Sequence, residues 1–148
     1  MARIEPAAVA WDRGSLRSDA FDDVYGSRDG NAEEARHVFL RGNDLPARWR
    51  DGQDFIIAET GLGTGLNLLV TWQAWRARGR PGRLHYVSIE GFPLRRDDVD
   101  RALARVPELE DLRSRWLDAH PPRRAGFHRL HLDSGLIVTL VHDRIDRA

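Results

Sequence analysis

Three glycines at alternate positions, Gly61, Gly63 and Gly65, lie between an apolar run and a helical pattern, and they constrain this chain more than any other feature. The run is Phe55-Ile56-Ile57-Ala58, and it leads into Glu59. From Leu66 onward Leu68, Trp72 and Trp75 share one helical face, with Leu69 and Gln73 beside it. The order is strand, tight glycine turn, helix N-terminus. Glycine accepts positive φ and lets a ligand approach the backbone. The first N–H groups of a helix lack internal partners and carry partial positive charge, so backbone amides at this turn suit a carboxylate or a phosphate.

Spacing separates the ligands. A dinucleotide loop reads G-x-G-x-x-G. Here the pattern is G-x-G-x-G, with Leu66 where the third dinucleotide glycine would fall. Glu59, just before the glycines, would repel a diphosphate and suit an ammonium or, through solvent, a sulfonium. These residues favour a methyl donor of the S-adenosylmethionine type. An NAD-dependent oxidoreductase is the alternative, and a glycine turn that binds nothing is the bland one. Residues 84 to 89 predict a second strand ending at Glu90, about 25 residues past Gly65, where a carboxylate takes ribose hydroxyls.

The rest of the chain reads as α/β. Residues 1 to 20 read as irregular, and residues 21 to 148 as one partial domain. A short helix is expected over residues 32 to 40 and a turn with a short helix over 43 to 49. The strand at 54 to 58 is nearly all apolar, as a central parallel strand should be. The helix after the glycines is stopped by Gly79, Pro81 and Gly82. Helices follow over 95 to 105 and through Leu109, Leu112, Trp116 and Leu117. Strands at 127 to 132 and 136 to 141 flank a turn at Asp133-Ser134-Gly135. This is a doubly wound pattern that stops near the close of its first half. It predicts an open strand edge, an uncovered apolar face, and hence aggregation or association with a partner.

Composition excludes several chemistries. With 148 residues, 41% hydrophobic and 31% charged, the chain suits one globular domain. Its net charge is zero, so no globally basic surface argues for nucleic acid. All basic residues are arginines. They gather at Arg76, Arg78, Arg80 and Arg83, and again at Arg95, Arg96, Arg123 and Arg124, as phosphate-contacting patches or solvated faces. The absence of cysteine excludes disulfides and thiolate nucleophiles. His37, His85, His120, His128, His131 and His142 show no metal-ligand spacing, so no metal is expected. No membrane span or signal peptide is legible, and a cytoplasmic setting is expected.

Four blocks carry a family resemblance: Phe21-Asp22-Asp23-Val24-Tyr25, Val38-Phe39-Leu40 with Gly42-Asn43, residues 55 to 69, and residues 84 to 94. His128-Arg129-Leu130-His131-Leu132-Asp133-Ser134-Gly135 fits the same pattern. Together they resemble the methyltransferase domain of the bifunctional tRNA 5-methylaminomethyl-2-thiouridine biosynthesis protein, in its N-terminal part, from about Ala20 onward. The resemblance implies a class I S-adenosylmethionine-dependent methyltransferase fold, a Rossmann-like doubly wound sheet, truncated after its first half. It implies N-methylation of the aminomethyl group on a tRNA wobble uridine, with tRNA as partner. By position Glu59, Gly61, Gly63, Gly65 and Asn67 would line the donor's amino-acid end. Glu90 would hold ribose, Phe92 and Pro93 would shape the adenosine wall, Asp143 would lie near adenine, and Tyr25 would shape the target pocket. Nothing in the sequence matches the family's Asp-Gly-Phe-Ala-Pro motif or its flavin-dependent oxidase domain, so no catalytic base is assigned. An inactive remnant, or a chain completed by a complementing partner, stands beside the active enzyme. Gly26, Asn31 and His37 stand where larger apolar or aromatic residues are common in that family.

Overall fold

The computed structural model describes residues 4–21, 23–25 and 32–146; Gly26 and Asn31 lie outside them. The stretch expected to be irregular instead forms a hairpin. β1 (Val9–Asp12) and β2 (Ser15–Ser18) pair antiparallel, and β3 (Asp23–Val24) adds to β2. Arg13 and Gly14, at φ 48° and 82°, make the tight turn with two left-handed residues that matches strand twist. Ala7 and Leu16 are buried in the main core.

α1 (Ala32–Ala35) runs on through a π-helical turn, Arg36–Leu40, and a 3-10 turn, Arg41–Asn43. The helix expected over 43 to 49 does not form. Asp44 adopts φ 55°, and the Asn43 side-chain Nδ2 donates back to the Phe39 carbonyl at 2.7 Å, which ends the helical run.

The principal sheet has the order β4-β5-β7-β6. β4 (Phe55–Thr60), β5 (Leu84–Glu90) and β7 (Leu136–His142) are parallel, and β6 (Gly126–Asp133) pairs antiparallel with β7 as the anticipated hairpin. α2 (Leu66–Ala77) links β4 to β5, while α3 (Arg96–Leu103) and α4 (Glu110–Asp118) lie between β5 and β6. Right-handed crossovers that advance in one direction place their helices on one face of a sheet. That face, with Ile57, Tyr86, Val138 and Leu140, packs into one core with Trp72, Trp75 and Trp116.

The apolar run before the glycines is not a central strand among the described residues. β4 is the sheet edge, and alternate residues face opposite ways. Ile57 is buried, whereas Ile56 is 70% exposed on the face without helices. Phe127, on the same face, is 80% exposed. An apolar run reports high hydrophobicity on both faces but cannot report whether a neighbouring strand is present.

Asp133 ties α2 to the β6–β7 turn. Its Oδ2 accepts from Trp72 Nε1 at 2.9 Å, Arg76 Nε at 2.6 Å and Arg80 Nη2 at 3.2 Å. At the other end of the hairpin His142 is buried, with its ring centroid 4.5 Å from that of His128. Both rings reach the Arg124 carbonyl, at 2.7 Å from His128 Nε2 and 3.2 Å from His142 Nδ1. Burial, followed by the electrostatic influence of the neighbouring His128, pushes His142 down to about 4, while the Arg124 carbonyl pulls the other way. The unfolded chain, near 6.5, then binds more protons in acid. The contribution of His142 is therefore complete above about pH 6.5 and is lost as pH falls toward 4, by roughly 2–3 kcal/mol. Urea melts from pH 7 to 4 should show a steeper fall for the native chain than for H142N; parallel profiles would refute the assignment.

Candidate functional site

β4 and β5 end together, with Glu59 opposite Ser88 and Thr60 opposite Ile89. Glu59 and Glu90 therefore meet at the carboxyl edge of the sheet, where open α/β sheets bind their ligands. The bend between β4 and α2 needs its glycines: Gly61, Gly63 and Gly65 have φ 79°, 57° and 87°. Gly65 is the N-cap of α2. A Cβ there would lie 3.0–3.3 Å from the Trp116 indole. Trp116 also holds the bend directly, its Nε1 donating to the Thr64 carbonyl at 3.1 Å.

The expected cradle of open glycine amides is corrected by the hydrogen bonds. Gly61 N donates to the Ile89 carbonyl at 2.8 Å and Gly65 N to the Leu62 carbonyl at 3.0 Å. Gly63 N donates to Glu90 Oε2 at 3.2 Å, while Glu90 Oε1 accepts from Phe92 N at 2.8 Å. Glu90 thus links the two loops, and a protein carboxylate already holds the amide that an anionic ligand would seek. Polarity at this bend comes from acids.

Glu59 lies below the bend. Its Oε2 accepts from Asn67 Nδ2 at 3.4 Å. Its Oε1, the Tyr86 hydroxyl and the Ser88 hydroxyl are all buried without hydrogen-bond partners among the described residues. Burial raises Glu59 to about 7; Tyr86, Asn67 and Ser88 draw it back in part, and Glu90 pushes it up further. Tyr25 lies across the bend, its ring edge 3.5 Å from where a Cβ on Gly63 would sit. Burial and then Glu90 raise its hydroxyl.

A cleft of about 700 Å³ opens at this edge, lined by Phe21, Thr60, Gly61, Ile89, Phe92 and Ile145, among others. The Phe21 and Phe92 rings meet edge to face at 5.6 Å. Asp143 does not line the cleft; Arg144, Ile145 and Asp146 do. The Asp143 carboxylate accepts from Arg144 N at 2.8 Å, and the Arg144 guanidinium pairs with Asp146 at 3.1 Å. Of the sequence candidates, Gly61 and Phe92 line this cleft, while Glu59, Gly63, Gly65, Asn67, Glu90 and Tyr25 gather at the bend beside it. Trp116, Phe21 and Ile145 are additions. Trp116 carried only a helical apolar spacing, which marks core residues in general.

The two arginine groups part company. Arg76, Arg80, Arg78 and Arg83 form ion pairs with Asp133, Asp51 and Asp54, where α2 ends and β5 begins. Arg95 precedes α3, which follows the Glu90 loop, and Arg96 Nε donates to the Leu117 carbonyl at 3.0 Å. Arg123 and Arg124 precede β6, whose first residue pairs with His142 at the end of β7. This second group shares the sheet edge with the cleft.

Fold and site define a Rossmann-like α/β protein with an acidic glycine bend at the carboxyl edge of its strands. The crystal structure of MNMC2 from Aquifex aeolicus shares this fold, with a TM-score of 0.67 and 15% identity over 97% of this chain and 44% of that one. No family model matches the chain. It is 50% identical over 137 residues to the tRNA 5-methylaminomethyl-2-thiouridine biosynthesis bifunctional protein MnmC of Aromatoleum aromaticum, covering 91% of this chain. The protein of the same name from Burkholderia multivorans is 45% identical over 152 residues, covering 98% of this chain. The shared stretch spans 22% and 23% of those relatives' lengths, and over it the chain is homologous to them.

Proposed function

We propose that this chain binds S-adenosylmethionine at the acidic glycine bend and forms the donor side of a tRNA methyltransferase. The observation that carries the proposal is the pair of carboxylates, Glu59 and Glu90, at the bend. A diphosphate there would face two acids, and Arg144, the arginine that lines the cleft among the described residues, is paired with Asp146. An ammonium fits, because Glu59 Oε1 is a buried acceptor with no geometric hydrogen-bond partner among the described residues. Glu59 and Asn67 would receive the amino-acid end, Glu90 the ribose, and Phe21, Phe92 and Ile145 the adenosine body. The bound donor supplies a methyl group on a sulfonium. The chain's residues supply orientation and exclude water from the apolar part of the cleft.

The relatives' name supports a thiouridine-bearing tRNA as substrate. Arg95, Arg96, Arg123 and Arg124, on the cleft's edge, are the residues we assign to its phosphates. The sequence has no Asp-Gly-Phe-Ala-Pro motif, so donor binding without turnover is the second reading, with a complementing chain or a second copy completing the sheet along β4. Residues 21 to 148 act in this proposal as a partial methyltransferase domain. The hairpin within residues 1 to 20 packs onto the same core through Ala7 and Leu16. A cytoplasmic setting belongs to the same proposal; no helix among the described residues is long and apolar enough to cross a membrane.

Calorimetry with S-adenosylmethionine and with NADH tests this. The methyl donor should bind and NADH should not; the reverse would replace the methyl-donor site by a dinucleotide site. Glu90→Ala should weaken donor binding about 10- to 100-fold, since it removes a ribose acceptor and frees both loops. The isolated chain is expected to give no methyl transfer to tRNA lacking the final methyl, and measurable transfer would exclude the inactive reading.

A further inference from the structure

Part of the wall around the cleft comes from outside the principal sheet. Phe21, which lines the cleft, and Tyr25, which lies across the glycine bend, both hang from the N-terminal hairpin. Phe21 N donates to Ser18 Oγ at 3.2 Å, and Tyr25 N donates to the Leu16 carbonyl at 2.9 Å. A sheet built of strands of two to four residues is not stable alone and needs a helix to pack on. That helix is α3. Trp11, opposite Leu16 in the hairpin, meets it. Trp11 Nε1 donates to Asp98 Oδ1 at 3.2 Å, and the Arg101 guanidinium lies 4.0 Å from the centre of a Trp11 ring. Asp98 and Arg101 are three residues apart on α3, so both reach the same indole. Two further contacts involve only the hairpin's backbone. Arg105 donates to the Gly14 carbonyl, and Ala7 N donates to the Pro93 carbonyl at 3.3 Å. Of these three contacts, that of Trp11 is the one a substitution in the hairpin can remove.

We propose that Trp11 is a positioning residue for the cleft: held by Asp98 and Arg101, it fixes the N-terminal sheet on α3 and thereby sets Phe21 and Tyr25 against the ligand. Trp11 does not itself line the cleft. It acts through β2, whose Leu16 and Ser18 hold the two aromatic residues. An indole offers a flat face to a guanidinium and one N–H to a carboxylate, so this single side chain fixes both the distance and the rotation of the hairpin on the helix. A wall that is in place before the ligand arrives needs no ordering on binding. The site is thus assembled from two units: the acids and glycines of the principal sheet, and the aromatic residues carried by the hairpin. α3 is the joint between them. It follows the Glu90 loop directly, so its start is set by β5 and its surface receives the hairpin. The effect on affinity rests on the donor site proposed above; the placement of Tyr25 does not.

The chain has two tyrosines, Tyr25 and Tyr86, so labelling with fluorotyrosine gives two fluorine resonances, assigned by Y25F. Tyr86 is fully buried in the main core and reports on the principal sheet. W11A should move the Tyr25 resonance toward its position in the unfolded chain and leave that of Tyr86 in place. Calorimetry on the whole chain should show S-adenosylmethionine binding to W11A about 10-fold more weakly than to the native chain. W11F keeps a ring beside Arg101 and loses only the bond to Asp98, so it should restore most of both properties. A purely structural role, a general loss of stability, would instead move the two resonances together. If W11A unfolds the whole chain, the double variant D98A/R101A decides, because it removes both partners of the indole and leaves the hairpin's own side chains intact; it too should move Tyr25 and not Tyr86. An unmoved Tyr25 in the folded variant would overturn the proposal, and so would native donor affinity in a variant whose Tyr25 has moved. A Tyr25 shift in a chain whose native form binds no S-adenosylmethionine would remove the donor site and uphold the joint.

Discussion

Alanine at position 82 is expected to destabilise the chain by about 3 kcal/mol or more. Gly82 precedes β5 and runs beside Gln53, the approach to β4. A Cβ on it would sit 2.6 Å from the Gln53 carbonyl carbon and closer still to its oxygen. The obstacle is backbone, so no rotamer change relieves it. The two approaches are already bonded on either side, Gly52 N to the Pro81 carbonyl at 2.5 Å and Phe55 N to the Arg83 carbonyl at 2.9 Å. Separating them would pull β4 from β5 at its first pair, Phe55 opposite Leu84. β4 has no other neighbour among the described strands, so it has nowhere else to pair. Domains are stable by only about 5–15 kcal/mol, so such a loss is a large share. Urea unfolding of G82A should show a midpoint well below the native one. A change under 1 kcal/mol would mean that the two approaches are not in contact.

Alanine at position 65 should weaken donor binding at least 100-fold while lowering stability by about 1–3 kcal/mol. Two effects combine there. The residue needs φ 87°, which an L side chain adopts at a penalty of about 1–2 kcal/mol. The new methyl would also press on the Trp116 indole, which is fully buried and cannot move outward. Trp116 holds the Thr64 carbonyl, so pushing it displaces the bend that sets Glu59 and Asn67 against the ligand. Trp116→Phe is the companion variant: it keeps most of the ring and loses the donated bond. It should lower affinity by about 10-fold with a smaller loss of stability. Calorimetry together with thermal melts separates the two quantities. Native affinity in G65A would show that the bend does not carry the ligand.

Much of this molecule is legible in its residue order. The glycine triplet, the acids Glu59 and Glu90, and the run of strand, helix and strand are local signals, because turn geometry and hydrophobic period depend on near neighbours. That is why the hairpin at Asp133-Ser134-Gly135 and the parallel pairing of β4 with β5 follow the sequence expectation. The same local signals misplace residues 1 to 20, where a tight turn at Arg13-Gly14 forms between two short strands of mixed polarity. They also leave both arginine groups equal as phosphate contacts, since ion pairing at one end of the sheet depends on Asp133, Asp51 and Asp54 folding back from elsewhere.

The sequence by itself determined the class of fold, the position of the bend and the acids that give it its charge. Tertiary structure alone decided that the glycine amides are already bonded, that Trp116 braces Thr64, that Arg144 to Asp146 replace Asp143 at the cleft, and that Asn67, Tyr86 and Ser88 gather around the Glu59 carboxyl group. The reason is physical. Spacing along the chain sets backbone conformation and the face on which a side chain lies, but desolvation and hydrogen-bond satisfaction depend on atoms brought in from distant segments.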